Sequence, residues 1–243
     1  MRARGLVAYH GPSRLDGAPI VLIVTFASLN AKTGAMAQAW VLRADVSPQE
    51  AIAGGLDRSV CGDCVHRSGS AIGRSCYVIT WLGPLNVYKA FRANQYPTVA
   101  PHLAAPHLAG AQLRMAAYGD PAAVPFEVWR ALLTSVVGWT GYTHQWRTCD
   151  QRFQAFLMAS VESEGEVEHA QALGWRTFRT RLHTEPVRAD EIVCPASNEA
   201  GHRTTCEHCN LCTGTARGAA RSIVIQAHGQ RTAIFADRKA ALV

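Results

Sequence analysis

The chain has 243 residues, 48% hydrophobic and 17% charged, with a formal net charge of +6. That balance excludes intrinsic disorder, and the longest apolar stretch, residues 20–27, is far short of the ~20 residues a membrane helix needs. Residues 1–146 hold 12 Lys and Arg against 7 Asp and Glu, and residues 147–243 hold 12 against 11. With no basic run, nothing resembles a nucleic-acid-binding tail.

The N-terminus lacks the apolar core of a signal peptide, so the expected location is cytoplasmic. Residues 20–26 and 39–43 read as strands. Ser47 then opens a short helix: SPQEAIAGGL has Pro at its first position, Glu three residues after the Ser, and Gly54-Gly55 to stop it. The CGDC loop at 61–64 follows. From Cys76 onward, strand-like and helix-like runs alternate. Strands are expected over 76–81, 113–118, 139–146, 156–161, 175–180, 192–196 and 222–228. Helices are expected over 84–93, 125–137 and 164–173. Strands alternating with helices indicate parallel βα units. The expected fold is therefore α/β, a parallel (β/α) barrel or partial barrel. Residues 1–55 would form N-terminal strands and a helix of the same domain, and residues 56–243 the cysteine-rich barrel. No GxGxxG or Walker motif follows any strand.

Eight cysteines in a chain without a secretory signal point to metal before disulfide. Cys194, Cys206, Cys209 and Cys212 read C-x11-CxxCxxC, four thiols able to converge on one centre. Four such ligands suit tetrahedral zinc, but structural zinc usually uses two separate CxxC knuckles. CxxCxxC with a remote Cys is commoner for a 4Fe–4S cluster. Cys61, Cys64 and Cys76 read CxxC-x11-C. Two readings stand side by side: a zinc knuckle completed by His66, or a three-thiolate cluster with one open iron. Cys149 stands alone and reads as a packed thiol.

In such folds function sits at the C-terminal ends of the strands. Those ends carry Tyr118, Gly119 and Asp120, then Tyr142 to Trp146, then Ser160 to Ser163, then Cys194, then Gln226 to His228. Both cysteine groups are expected to face one cavity with them. Along a strand at 139–146, either Tyr142, His144 and Trp146 or Thr143 and Gln145 point inward. His144, Gln145 and Glu162 are the candidate acid–base or positioning residues, with core packing and a solvated helix start as the alternatives. Arg114 and Arg147 are candidate phosphate contacts.

The CGDC…CY, AYGDPAAVP, GYTHQW and CxxCxxC segments resemble the radical S-adenosylmethionine (SAM) superfamily, a partial (β/α)6 barrel. They also look like a group of phage-encoded, cysteine-rich barrel proteins. The resemblance spans most of residues 55–230. Gly119-Asp120-Pro121 is similar to the segment that holds the amino group of SAM, which implies cofactor binding by Tyr118, Gly119 and Asp120. Cys76-Tyr77 is similar to the cysteine–aromatic pair closing the cluster loop, and the second group looks like an auxiliary cluster. The superfamily has CxxxCxxC on one loop, where this chain has CxxC-x11-C. Three functions follow. One is an iron–sulfur enzyme with one or two 4Fe–4S clusters and SAM, acting on a nucleotide, nucleic acid or peptide in an infected host. Another is a non-catalytic 4Fe–4S redox or sensing protein. The last is a zinc-stabilised nucleic-acid-binding protein.

Overall fold

The computed structural model describes residues 4–68, 72–216, 218 and 221–241. Its backbone is organised by two five-stranded sheets, and the chain passes from one to the other at Gly141. The first sheet runs β1 (Gly5–Pro12), β2 (Pro19–Thr25), β3 (Ala37–Arg43), β4 (Gln112–Tyr118) and β5 (Gly138–Thr140) in spatial order. Pairs β1–β2 and β2–β3 are antiparallel, whereas β3–β4 and β4–β5 are parallel. The second sheet comprises β6 (Tyr142–Thr143), β7 (Met158–Val161), β8 (Thr177–Arg181), β9 (Glu191–Val193) and β10 (Ser222–Gln226). Its order is β6-β7-β8-β10-β9, and every pair is parallel.

The expected parallel barrel is therefore corrected. One sheet is mixed, and among the described residues no strand pair closes a ring. The N-terminal strands β1–β3 form more than half of the first sheet. The antiparallel half arises from local sequence. The β2 run PIVLIVT is β-branched and buried on both faces, the pattern of a central strand. A short connection through Gly17, which takes a positive φ, returns the chain antiparallel from β1.

Helices α1 (Pro48–Ala53) and α2 (Arg58–Cys61) follow β3. Ser47 caps α1 with the reciprocal bonds of a capping box, as the sequence implies. Further along lie α3 (Gly83–Arg92), α4 (Pro101–Ala104), α5 (Phe126–Leu133), α6 (Glu164–Ala172), α7 (Cys206–Cys209) and α8 (Thr232–Ala240). Two strand expectations fail. Residues 76–81 form no strand; Arg74 and Arg231 bond the Cys76 carbonyl instead of a ladder partner. Residues 139–146 are not one strand either. The run is broken at Gly141, where a Cβ would meet Leu157 and Met115, and β5 and β6 join different sheets on either side. No described helix is long and apolar enough to cross a membrane.

The larger core lies on the first sheet and extends over α5, Trp129, Trp146 and Phe153. A smaller one gathers Met158, Cys194, Ala196, Cys212, Ile223 and Ile225 on the second.

Two cysteine sites and their surroundings

The first group is assembled beside the C-terminal ends of strands from both sheets. β4 leads into Asp120, β6 into His144 and β7 into Glu162. Near its end β4 carries a bulge: Gln38 pairs with Arg114, but Trp40 pairs with Tyr118. Ala116 takes φ of 56° there, a conformation costing about 1–2 kcal/mol outside glycine. Gly119, at φ 82°, approaches so closely that a Cβ would lie 2.7 Å from Val41 and 3.1 Å from the Val60 carbonyl. This turn delivers Asp120 into the interior, where its backbone N–H bonds the Val60 carbonyl.

Asp120 is a buried clamp. Its Oδ1 accepts from Thr143 Oγ1 (2.8 Å) and the Ala122 N–H (2.9 Å), and its Oδ2 accepts from the His144 N–H (2.9 Å). Burial raises its pKa, opposed by those hydrogen bonds and by His144. The carboxylate ties the end of β4 to the end of β6, and its oxygens are engaged by the chain itself. Tyr118 lies beside Cys61, with its hydroxyl pKa pushed well up by burial and by that thiol.

Chain direction changes after Thr143, so strand alternation ceases and both His144 and Gln145 reach the CGDC loop. Gln145 donates from Nε2 to the Cys61 carbonyl (3.2 Å) and accepts at Oε1 from the Asp63 N–H (3.3 Å). Gly62 admits that amide, because a Cβ there would overlap it. The His144 ring contacts the Cys64 thiol and places Nε2 at 3.4 Å from Glu162 Oε1. Burial would lower the His144 pKa, but Cys64 and Glu162 outweigh it and hold it well above the ordinary imidazole value. Glu162 is itself buried. Burial would raise its pKa, yet hydrogen bonds from His144 and His66 drive it well below the carboxylate range.

His66 is bonded at both ring nitrogens. Its Nδ1 lies 2.9 Å from Ser75 Oγ and its Nε2 3.0 Å from Glu162 Oε1. The pairing of His66 with Glu162 spans 96 residues, and no motif in the sequence announces it. Cys61 and Cys76 complete the group. Burial raises both thiols; Cys64 and Cys76 raise Cys61 further, and Arg74 and His144 pull Cys76 down.

The second group occupies a separate pocket, not the cavity expected to be shared. Cys194, Cys206, Cys209 and Cys212 line it with Tyr142, Phe178, Leu211 and Ile223. Tyr142, Phe178 and Ile223 each stand at the first or second residue of β6, β8 and β10. α7 carries Cys206 and Cys209 and ends at Asn210, whose left-handed backbone turns the chain toward Cys212. Arg176 holds the following loop by donating to the carbonyls of Leu211 (3.0 Å) and Gly214 (2.6 Å). Cys212 is raised strongly by burial and by its three fellow thiols, with a Tyr142 hydrogen bond opposing. No reader of the sequence would pair Tyr142 with Cys212 without the break at Gly141.

All eight cysteines are free thiols. Among the described residues, the trio of potential ligand atoms lying within 4.8 Å of one another is His66, His144 and Glu162, and no cysteine sulfur belongs to such a group. Between the groups lies Arg114, which donates to the Tyr77 hydroxyl (3.0 Å) and is electrostatically coupled to Cys206 and Tyr142. Arg147 pairs with Glu166 and stacks 3.8 Å over Trp146, so its charge is used within the chain. Cys149 lines a groove of about 430 Å³ with Arg14, Arg58, Phe126 and Gln145, and burial, then Asp120 and Asp150, pushes its thiol up to about 12.

The fold and site define an α/β protein with two sheets and two separate groups of cysteines. No family model, curated protein or solved structure matches the chain.

Proposed function

We propose that this is an iron–sulfur redox protein with two cysteine centres. The observation that carries it is the pocket lined by Cys194, Cys206, Cys209 and Cys212 without a carboxylate. Four soft donors in largely apolar walls suit thiophilic metal chemistry. Tetrahedral zinc at 2.3 Å bonds would draw four sulfurs to about 3.8 Å apart. The CxxCxxC spacing with a remote Cys is the commoner arrangement for a 4Fe–4S core. When bound, such a cluster supplies one-electron transfer. The residues of the chain do the rest. Tyr142 donates a hydrogen bond to Cys212, Arg176 fixes the loop, and Phe178 and Ile223 exclude water. Crowded thiols that resist ionisation in the bare chain are deprotonated by a cation, so loading releases protons.

A second reading, a radical-SAM-like enzyme, is favoured by one observation: the Cys61 group offers three thiols, leaving room for an exchangeable position. Against a SAM ammonium at Asp120 stand the three protein donors its carboxylate already serves.

Protein purified without oxygen tests both. Iron and sulfide with a dithionite-bleached band near ~400 nm supports the redox reading, provided SAM leaves the spectrum unchanged. A SAM-dependent change moves the assignment to the enzyme. Zinc without sulfide overturns both.

A further inference from the structure

We propose that His66, His144 and Glu162 form a binding site for one divalent transition-metal cation, a two-histidine, one-carboxylate set built without a cysteine. The inference goes beyond the iron–sulfur reading and is independent of what the cysteines hold.

The three side chains arrive from separate parts of the chain. His66 follows the CGDC loop, His144 follows β6 and Glu162 follows β7. One potential ligand atom from each lies within 4.8 Å of the other two. Glu162 Oε1 is the common point, 3.0 Å from His66 Nε2 and 3.4 Å from His144 Nε2. An ion with bonds of about 2.1 Å sets neighbouring ligands about 3.0 Å apart in an octahedron and about 3.4 Å apart in a tetrahedron. Both separations to the carboxylate therefore suit one ion. The remaining side, between the two imidazoles, stays within 4.8 Å, and histidine rings rotate over a broad χ2 range to close it.

Each ligand has an outer contact of the kind that orients metal-binding side chains. Ser75 Oγ lies 2.9 Å from His66 Nδ1, which leaves Nε2 facing inward. The His144 N–H is tied to Asp120 Oδ2 (2.9 Å) and the Glu162 N–H to Glu166 Oε2 (2.8 Å). The Glu162 side chain is 4% exposed, against 14% for His66 and 22% for His144, so the carboxylate is the deepest of the three. The competing arrangement is the same trio sharing protons alone.

Nitrogen and carboxylate donors in this ratio suit zinc or ferrous iron. Three protein ligands leave at least one position for water or an oxygen-bearing substrate, on which the ion acts as a Lewis acid.

The test is titration of Co²⁺, a coloured stand-in for zinc, into the full chain purified without oxygen. Iron and sulfide are counted on the same sample, so the cysteine centres are followed separately. One Co²⁺ per chain should bind with d–d absorption and without thiolate-to-metal charge transfer, and Zn²⁺ should displace it. An ion already bound after purification is counted instead as metal in excess of cluster iron. His66→Gln and Glu162→Gln should lose either signal. Ser75→Ala, which keeps all three ligands, should weaken binding by about 10–100-fold and serves where a ligand variant does not fold. Failure to bind one ion, or binding that His66→Gln and Ser75→Ala both leave unchanged, overturns the proposal and leaves the trio sharing protons. Charge transfer that disappears in Cys64→Ser places the ion among thiols and also overturns it. None of these outcomes alters the iron and sulfide count, on which the iron–sulfur reading stands or falls.

Discussion

The two cysteine sites use the same ligand atom in different surroundings. At the first, both signs of charge act: Asp57 and Asp120 on the Cys61 thiol, Arg74 and His144 on Cys76. Cys206 and Cys212 stand near cations, with Arg114 and Lys32 acting on the former and Arg176 coupled to the latter. The scaffolds differ in the same sense. Below the first site, buried Asp120 is satisfied by neutral donors. Beside the second, Glu191 on β9 is matched by the Arg179 guanidinium at 2.7 Å, with both side chains fully buried. Under the iron–sulfur proposal, similar thiols would acquire different electrochemistry from their neighbours, because positive charge beside the second site favours a reduced cluster.

The strongest way to break this comparison is to remove one site at a time. Cys206→Ser with Cys209→Ser should cost about half of the iron and sulfide, and Cys61→Ser with Cys64→Ser the other half. Loss of all metal from either variant would mean a single shared centre. Next in size are the buried carboxylates. Glu191→Gln leaves the Arg179 charge unmatched and should cost about 3–5 kcal/mol by denaturant unfolding. Asp120→Asn turns one amide hydrogen toward an existing donor and should cost about 1–3 kcal/mol. Equal losses would remove the distinction between charged and neutral support. An EPR-monitored titration should find the second site reduced first, and Arg114→Gln should narrow the gap by tens of millivolts, where ~59 mV is a factor of ten for one electron. The smallest effect is at Cys149. With its thiol at about 12, alkylation by iodoacetamide should stay slow at pH 8 and keep rising about tenfold per pH unit toward pH 12, where an ordinary thiol levels off near ~8.5.

The elements with local signals were legible in the sequence. The capping box at Ser47, the amphipathic run after Pro125 and the β-branched run of β2 each specify their own structure. The barrel expectation went wrong because alternating strands and helices do not reveal which strands pair. The antiparallel return between β1 and β2 depends on register that no single window contains. Candidate positions 120, 144, 145 and 162 all come together around the first site because strand ends in a parallel run share one edge. What could not be read was the role of each. Asp120 and Gln145 hold backbone, and His66 bonds Glu162. Those contacts join residues 23 to 96 positions apart.

Gly141 carries one more consequence. Its N–H bonds the Cys212 carbonyl, and its own carbonyl accepts from the Met158 N–H, so the residue where one sheet passes into the other is fastened to the cysteine loop. The pair of sheets behaves like an open book whose spine is residues 138–143, and the loop of Cys212 acts as the stitch. Rearrangement of that loop would therefore register first as faster amide exchange along the spine, ahead of any change at the outer strands β1 and β9.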